Sequence, residues 1–117
     1  MNPTDLVAFV DVDDTLVRSI GGARIPIPDA IRHVRDLHTA GATLFCWSAG
    51  GADYARASAK ELGIEALFTS FLPKPHVMID DHAPGEWPHL IVATPRELAG
   101  RTAEDHIEAL ARRRRER

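Results

Sequence analysis

Apolar runs of strand length alternate along this chain with segments of helical periodicity, and no other feature restricts the fold as much. "LVAFVDV" (6–12) is apolar almost without a break, which predicts a first strand buried on both faces. "PDAIRHVRDLHTAG" (28–41) places Ile31, Val34 and Leu37 at helical spacing, with Gly41 as its stop. "ATLFCW" (42–47) reads as a second strand and "ADYARASAKELG" (52–63) as a second helix ended by Gly63. A short edge strand is expected within "EALFTSF" (65–71), and two more strands in "HVMIDD" (76–81) and "HLIVA" (89–93). After Thr94, Pro95 and Glu97 supply the capping pattern of a last helix, interrupted near Gly100. Parallel neighbours need crossover connections, so this order predicts an α/β fold: a doubly wound, mostly parallel sheet with helices on both faces.

The 117 residues suit one domain spanning 1–117, and 44% apolar against 26% charged residues suits a soluble globular chain. The single cysteine, Cys46, has no partner for an internal disulfide and reads as a small buried apolar residue. "MNPTDLVAFV" lacks the pattern of a secretory leader and no run is long enough to span a bilayer, so cytoplasm is the expected compartment and a membrane role is not expected. The net charge of −3 is uneven: "RRRRER" (112–117) holds five of the 14 basic residues, leaving nine basic against 16 acidic residues in the rest. An acidic body disfavours nucleic acid as a partner, and acids before arginines in "TAEDHIEALARRRRER" read as a helix end matched to its macrodipole.

In open parallel sheets, ligands bind where the strands stop. The first strand ends in Asp11 and Asp13, the second in Ser48, and the strand expected at 76–81 in Asp80 and Asp81, with Lys74 just ahead of it. Carboxylates crowded at a buried strand end repel one another and require a cation, a donor or a proton. A receiver domain would place its acceptor Asp after a middle strand and its lysine last. In this chain a hydroxyl comes second, Lys74 third and a second acidic pair last, while Asp53 stands past the strand where the second helix begins.

The order "DVDDT", "FCWS", Lys74, "MIDD" resembles the four motifs of the haloacid dehalogenase superfamily, across residues 6–81. The resemblance implies a Rossmann-like core, Mg²⁺ as cofactor, and a phosphatase that hydrolyses a phosphate monoester through an aspartyl-phosphate. Asp11 is then the nucleophile, Asp13 the acid and base for the leaving group and for water, and Lys74 the charge that holds the phosphoryl group. Thr15 orients the Asp11 loop, while Ser48 and the amides of Ala49, Gly50 and Gly51 cradle phosphoryl oxygens. Asp11, the main-chain carbonyl of Asp13, and Asp80 are the implied Mg²⁺ ligands, with Asp81 bound directly or through water. An acid at position 13 separates the phosphatases from the dehalogenases of the superfamily.

Plainer readings stand beside these: Ser48 as a helix cap, Asp14 as a turn residue, Asp81 as a loop cap, and His82 as either a substrate contact or a solvated loop residue. Two other functional classes fit the same residues, a phosphate-binding scaffold without turnover and a receiver-like phospho-acceptor. Only "VRSIGGARIPI" (17–27) separates Leu16 from the first helix, and 25 residues separate Ser48 from Lys74, so neither gap holds a cap domain. The substrate is a phosphorylated small molecule or macromolecule, and a homo-oligomer with contacts beside the 17–27 flap is the expected cover for an open site.

Overall fold

The computed structural model describes residues 1–116; Arg117, the last of the arginine run, lies outside them. The regular elements are strands β1 (Val7–Asp11), β2 (Val17–Ile20), β3 (Ala23–Pro26), β4 (Thr43–Ser48) and β5 (Ser70–Pro73), and helices α1 (Pro28–Thr39), α2 (Ala52–Glu61) and α3 (Ala103–Arg115). The protein is an α/β fold with a three-stranded parallel sheet, ordered β1-β4-β5, and a separate antiparallel hairpin, β2-β3.

Helix α1 forms where Ala30, Val34 and Leu37 recur at four- and three-residue steps, with Pro28 at its first position and Asp29 in its first turn. It stops before Gly41, whose φ of 96° only glycine adopts freely and whose missing Cβ would press on Thr4 at 2.8 Å. Buried residues of α1 and α2 share one core with Val12, Leu16, Leu44, Cys46 and Ile64, all of them 0% exposed. Full burial of a leucine or isoleucine side chain contributes about 1.5–3 kcal/mol, so these central positions carry much of the drive to fold. The short flap expected at 17–27 takes the form of the β2-β3 hairpin. Gly21 and Gly22 both take positive φ, 57° and 83°, as a two-residue hairpin turn requires.

Several expectations are corrected. No strand forms at 76–81: Val77, Met78 and Ile79 are exposed, Ile79 by 98%. The cause is the placement of β5. Only Lys74 and Pro75 lie between Pro73 and His76, whereas a parallel neighbour needs a crossover of a dozen residues or so. "HLIVA" (89–93) is not a strand either; Ile91 and Ala93 pack against the core without a ladder partner, so their apolar character serves burial alone. The edge strand lies at 70–73 because its ladder pairs Phe45 with Ser70 and Ser48 with Pro73.

Strand β1 is not buried on both faces, since Val7 is 58% and Phe9 47% exposed. Successive right-handed crossovers stepping one way, β1 to β4 to β5, set both helices on the same face. The reversal of strand order that would make the sheet doubly wound is absent among the described residues. On the open face Phe9 lies 5.1 Å from Phe45 and 4.9 Å from Trp47, ring centre to ring centre. The break near Gly100 is present: a 3₁₀ turn at Pro95–Leu98 ends there, and α3 starts after Thr102. Residues 112–115 of the tail belong to α3, with Arg112 and Arg115 each 3.8 Å from Glu108. Among the described residues no helix is long and apolar enough to cross a membrane.

Candidate active site

Parallel pairing brings the ends of three strands side by side: Asp11 beside Trp47, and Ser48 beside Pro73. Beyond β1 the chain turns sharply. The Val12 carbonyl accepts N–H bonds from Thr15, Leu16 and Val17, and the Val12 side chain is fully buried. Anchored so, the turn leaves Asp11 half-buried and Asp13 exposed on either side of Val12. Asp14 takes the left-handed φ of 62°, which aspartate tolerates better than most residues, in keeping with a turn role.

Asp11 receives a hydrogen bond from the Thr15 hydroxyl at 3.1 Å on Oδ2, and Lys74 Nζ lies 3.3 Å from its Oδ1. Lys74 follows β5, and its amide donates to the Ser48 carbonyl at 2.9 Å, which fixes the start of the lysine beside the end of β4. Its ammonium also stands 5.9 Å from the centre of the Trp47 ring. The structure thus brings together Asp11, Thr15 and Lys74 from two different strand ends, and the lysine is the counter-charge that crowded carboxylates require.

Ser48 differs from expectation. It is 1% exposed, and its Oγ accepts the Gly50 N–H at 3.0 Å, so the hydroxyl closes its own turn and does not stand open to a ligand. It faces the same way as Leu44 and Cys46, which are likewise buried, because strand side chains alternate. Ala49 and Gly50 are exposed at that turn, and Gly51 adopts φ 103° before α2. Beneath them burial, with the nearby charge of Asp11, pushes the Cys46 thiol up to about 12, so the cysteine is an inert packing residue.

The expected metal set is not assembled. Asp80 and Asp81 stand on the exposed segment after Lys74; Asp80 accepts the His82 N–H at 3.2 Å, and Asp81 lies 3.0 Å from His82 Nδ1. Hydrogen bonding to the Asp80 carboxyl, and then to His82, holds Asp81 below the usual carboxylate range. Among the described residues no three His, Cys, Asp or Glu side chains are grouped to hold a metal. Asp11 and Asp13 offer the hard oxygen donors Mg²⁺ prefers, and among the described residues no third such side chain is grouped with them.

One partner of the site has no motif to announce it. The Tyr54 hydroxyl donates to Asp13 Oδ1 at 2.6 Å and accepts from Arg24 Nη1 at 2.7 Å. Arg24, on β3, also donates to Ser58 Oγ at 2.9 Å and to Glu61 at 3.3 Å. The Tyr54 hydrogen bond, ahead of Glu61, holds the Arg24 guanidinium still more firmly charged. The one signal in the sequence is the stripe Tyr54, Ser58, Glu61 at helical spacing on α2.

No curated protein and no solved structure matches the chain. A family model described as "Protein of unknown function (DUF705)" matches residues 1–83, a stretch that contains every candidate site residue named above, and the chain belongs to that family.

Proposed function

We propose that this protein is a Mg²⁺-dependent phosphatase that hydrolyses a phosphate monoester through an aspartyl-phosphate on Asp11, on a sheet of the Rossmann-like haloacid dehalogenase type. One observation carries the reading. Asp11, at the carboxyl end of a parallel strand, is held by a hydroxyl on one oxygen and faces a lysine from another strand end on the other. A carboxylate nucleophile needs no base to activate it, but it repels an anionic ester unless a cation offsets the charge. Lys74 offsets it.

In the proposed reaction an Asp11 oxygen bonds to phosphorus as the ester P–O bond breaks, and the leaving oxygen takes a proton from Asp13. Water then attacks the phosphoryl group, returns a proton to Asp13 and frees phosphate and Asp11. Mg²⁺ enters the proposal as cofactor through the oxygen chemistry of Asp11 and Asp13. Asp11 and Asp13 would hold the ion, which would supply positive charge to the phosphoryl oxygens, and Asp80, six residues beyond Lys74, is the proposed further ligand. The substrate is a phosphorylated molecule whose remainder the open sheet end leaves unrestricted, and cytoplasm remains the proposed compartment.

The closed Ser48 hydroxyl and the separate Asp80–Asp81 pair favour a second reading, a phosphate-binding domain without turnover. Assay of 4-nitrophenyl phosphate and a panel of phosphorylated metabolites, with Mg²⁺ and with chelator, separates the two. Hydrolysis that chelation suppresses and Asp11→Asn abolishes supports the phosphatase; phosphate binding without turnover across the panel supports the alternative.

A further inference from the structure

We infer that Tyr54 is a positioning residue for Asp13, held in register by Arg24, and that it assigns the two oxygens of the proposed acid to different tasks; the inference rests on the phosphatase reading. The direction of the hydrogen bonds follows from chemistry. A guanidinium donates and never accepts, so the contact of Arg24 with the Tyr54 oxygen uses a phenol lone pair. The single O–H of Tyr54 is thereby directed to its other neighbour, Asp13 Oδ1. In the protonated acid the carbonyl oxygen is the stronger acceptor, so this bond favours Oδ1 as the carbonyl oxygen. The transferable proton belongs on Oδ2, and the carboxyl plane is set by the phenol.

Further features keep the phenol in place. Arg24 meets Tyr54, Ser58 and Glu61 along one face of α2, so the guanidinium is fixed by three acceptors at once. Its Cζ lies 5.4 Å from the Tyr54 ring centre. Gly50 lets the ring come close, because a Cβ there would stand 2.9 Å from Tyr54 Cδ2. Since Arg24 belongs to β3, the seating of the hairpin on α2 and the orientation of Asp13 are one arrangement.

In the proposed cycle the acid protonates the leaving oxygen as the Asp11–phosphorus bond forms and the ester bond breaks. That help matters for a poor leaving group and hardly at all for a good one. Tyr54→Phe should therefore lower kcat/KM for an alkyl phosphate by about tenfold or more, and for 4-nitrophenyl phosphate by less than about twofold. Arg24→Met should shift the same ratio in the same direction by less. The ratio kcat/KM reports the steps through formation of the phosphoenzyme, so the later use of Asp13 as a base does not enter it. A merely structural loss would reduce both substrates equally. Equal losses, or none, with an active parent protein would overturn the positioning role alone. A parent protein with no turnover on either ester would overturn the phosphatase reading and the role of Tyr54 together.

Discussion

Replacement of Lys74 by methionine separates what the lysine does for the fold from what it does for chemistry. Lys74 Nζ and Asp11 Oδ1 are 3.3 Å apart, with side chains 39% and 29% exposed. At that distance the bare attraction is about 5 kcal/mol at an effective dielectric of 20 and about 1 kcal/mol in bulk water. Exposure places this pair toward the watery limit, and pairs of that kind contribute roughly 0.2–1 kcal/mol net. The contact with the Trp47 ring adds about 0.5 kcal/mol, much of which the methionine stem retains. Lys74→Met should thus destabilise the protein by no more than about 1 kcal/mol in a urea melt. The transition state is a different matter, because there the ammonium faces a phosphoryl group already crowded by the Asp11 carboxylate. Loss of one such stabilising group lowers turnover by about 10²–10³, equivalent to roughly 3–4 kcal/mol. The expected signature is that excess of kinetic over folding loss, read from steady-state kinetics and melts on the same preparation. A Lys74→Met protein that retains turnover within about threefold of the parent would refute the assignment of Lys74 to the phosphoryl group.

Two further predictions concern the scaffold. His33 Nδ1 donates to the Arg101 carbonyl at 3.2 Å, which leaves its Nε2 to accept from His106 Nε2 at 2.7 Å, and this pair joins α1 to α3. Burial is the main cause that lowers both histidines; at His33 the Arg101 carbonyl, Asp36 and Asp105 oppose it and Arg32 adds to it, while at His106 His33 and Arg101 add to it and Asp105 opposes it. Groups depressed below an ordinary 6.5 stabilise the fold fully above that pH, and the contribution is lost as pH falls from 6.5 through the lower folded values. The protection of α3 amides, taken as exchange relative to the intrinsic rate at each pH, should accordingly fall from about pH 7 to pH 5, and His106→Gln should flatten that change. Leu44→Ala, at a fully buried position on the central strand, should cost about 2–5 kcal/mol by urea melt; a loss under about 1 kcal/mol would place the core elsewhere.

The β1-α1-β4-α2 succession is legible because each element carries its own periodicity and stop, Gly41 after α1 and Gly63 after α2. Asp11 and Asp13 are legible for the same reason, since a strand end locates them, whereas Lys74, expected just ahead of a strand at 76–81, in fact follows β5. What is not legible depends on partners distant in sequence. "HVMIDD" has the composition of a strand, but strand pairing needs a connection long enough to return, and the true position of β5 leaves two residues for it. The inward turn of Ser48 follows from strand phase, which a one-residue difference would reverse. Tyr54 reaches Asp13 because the parallel β1–β4 pairing sets the start of α2 beside the turn after β1, a contact between residues 41 positions apart.

The most direct measurement traps the proposed intermediate. Borohydride added during turnover of a phosphate ester in Mg²⁺ reduces an aspartyl-phosphate to homoserine, and peptide mass mapping locates the altered residue. Homoserine is expected at position 11 in the parent protein and nowhere in Asp11→Asn, whose turnover should also be lost. Turnover with no reduced aspartate, or with the mark at Asp13 or Asp53, would contradict a phosphoenzyme on Asp11.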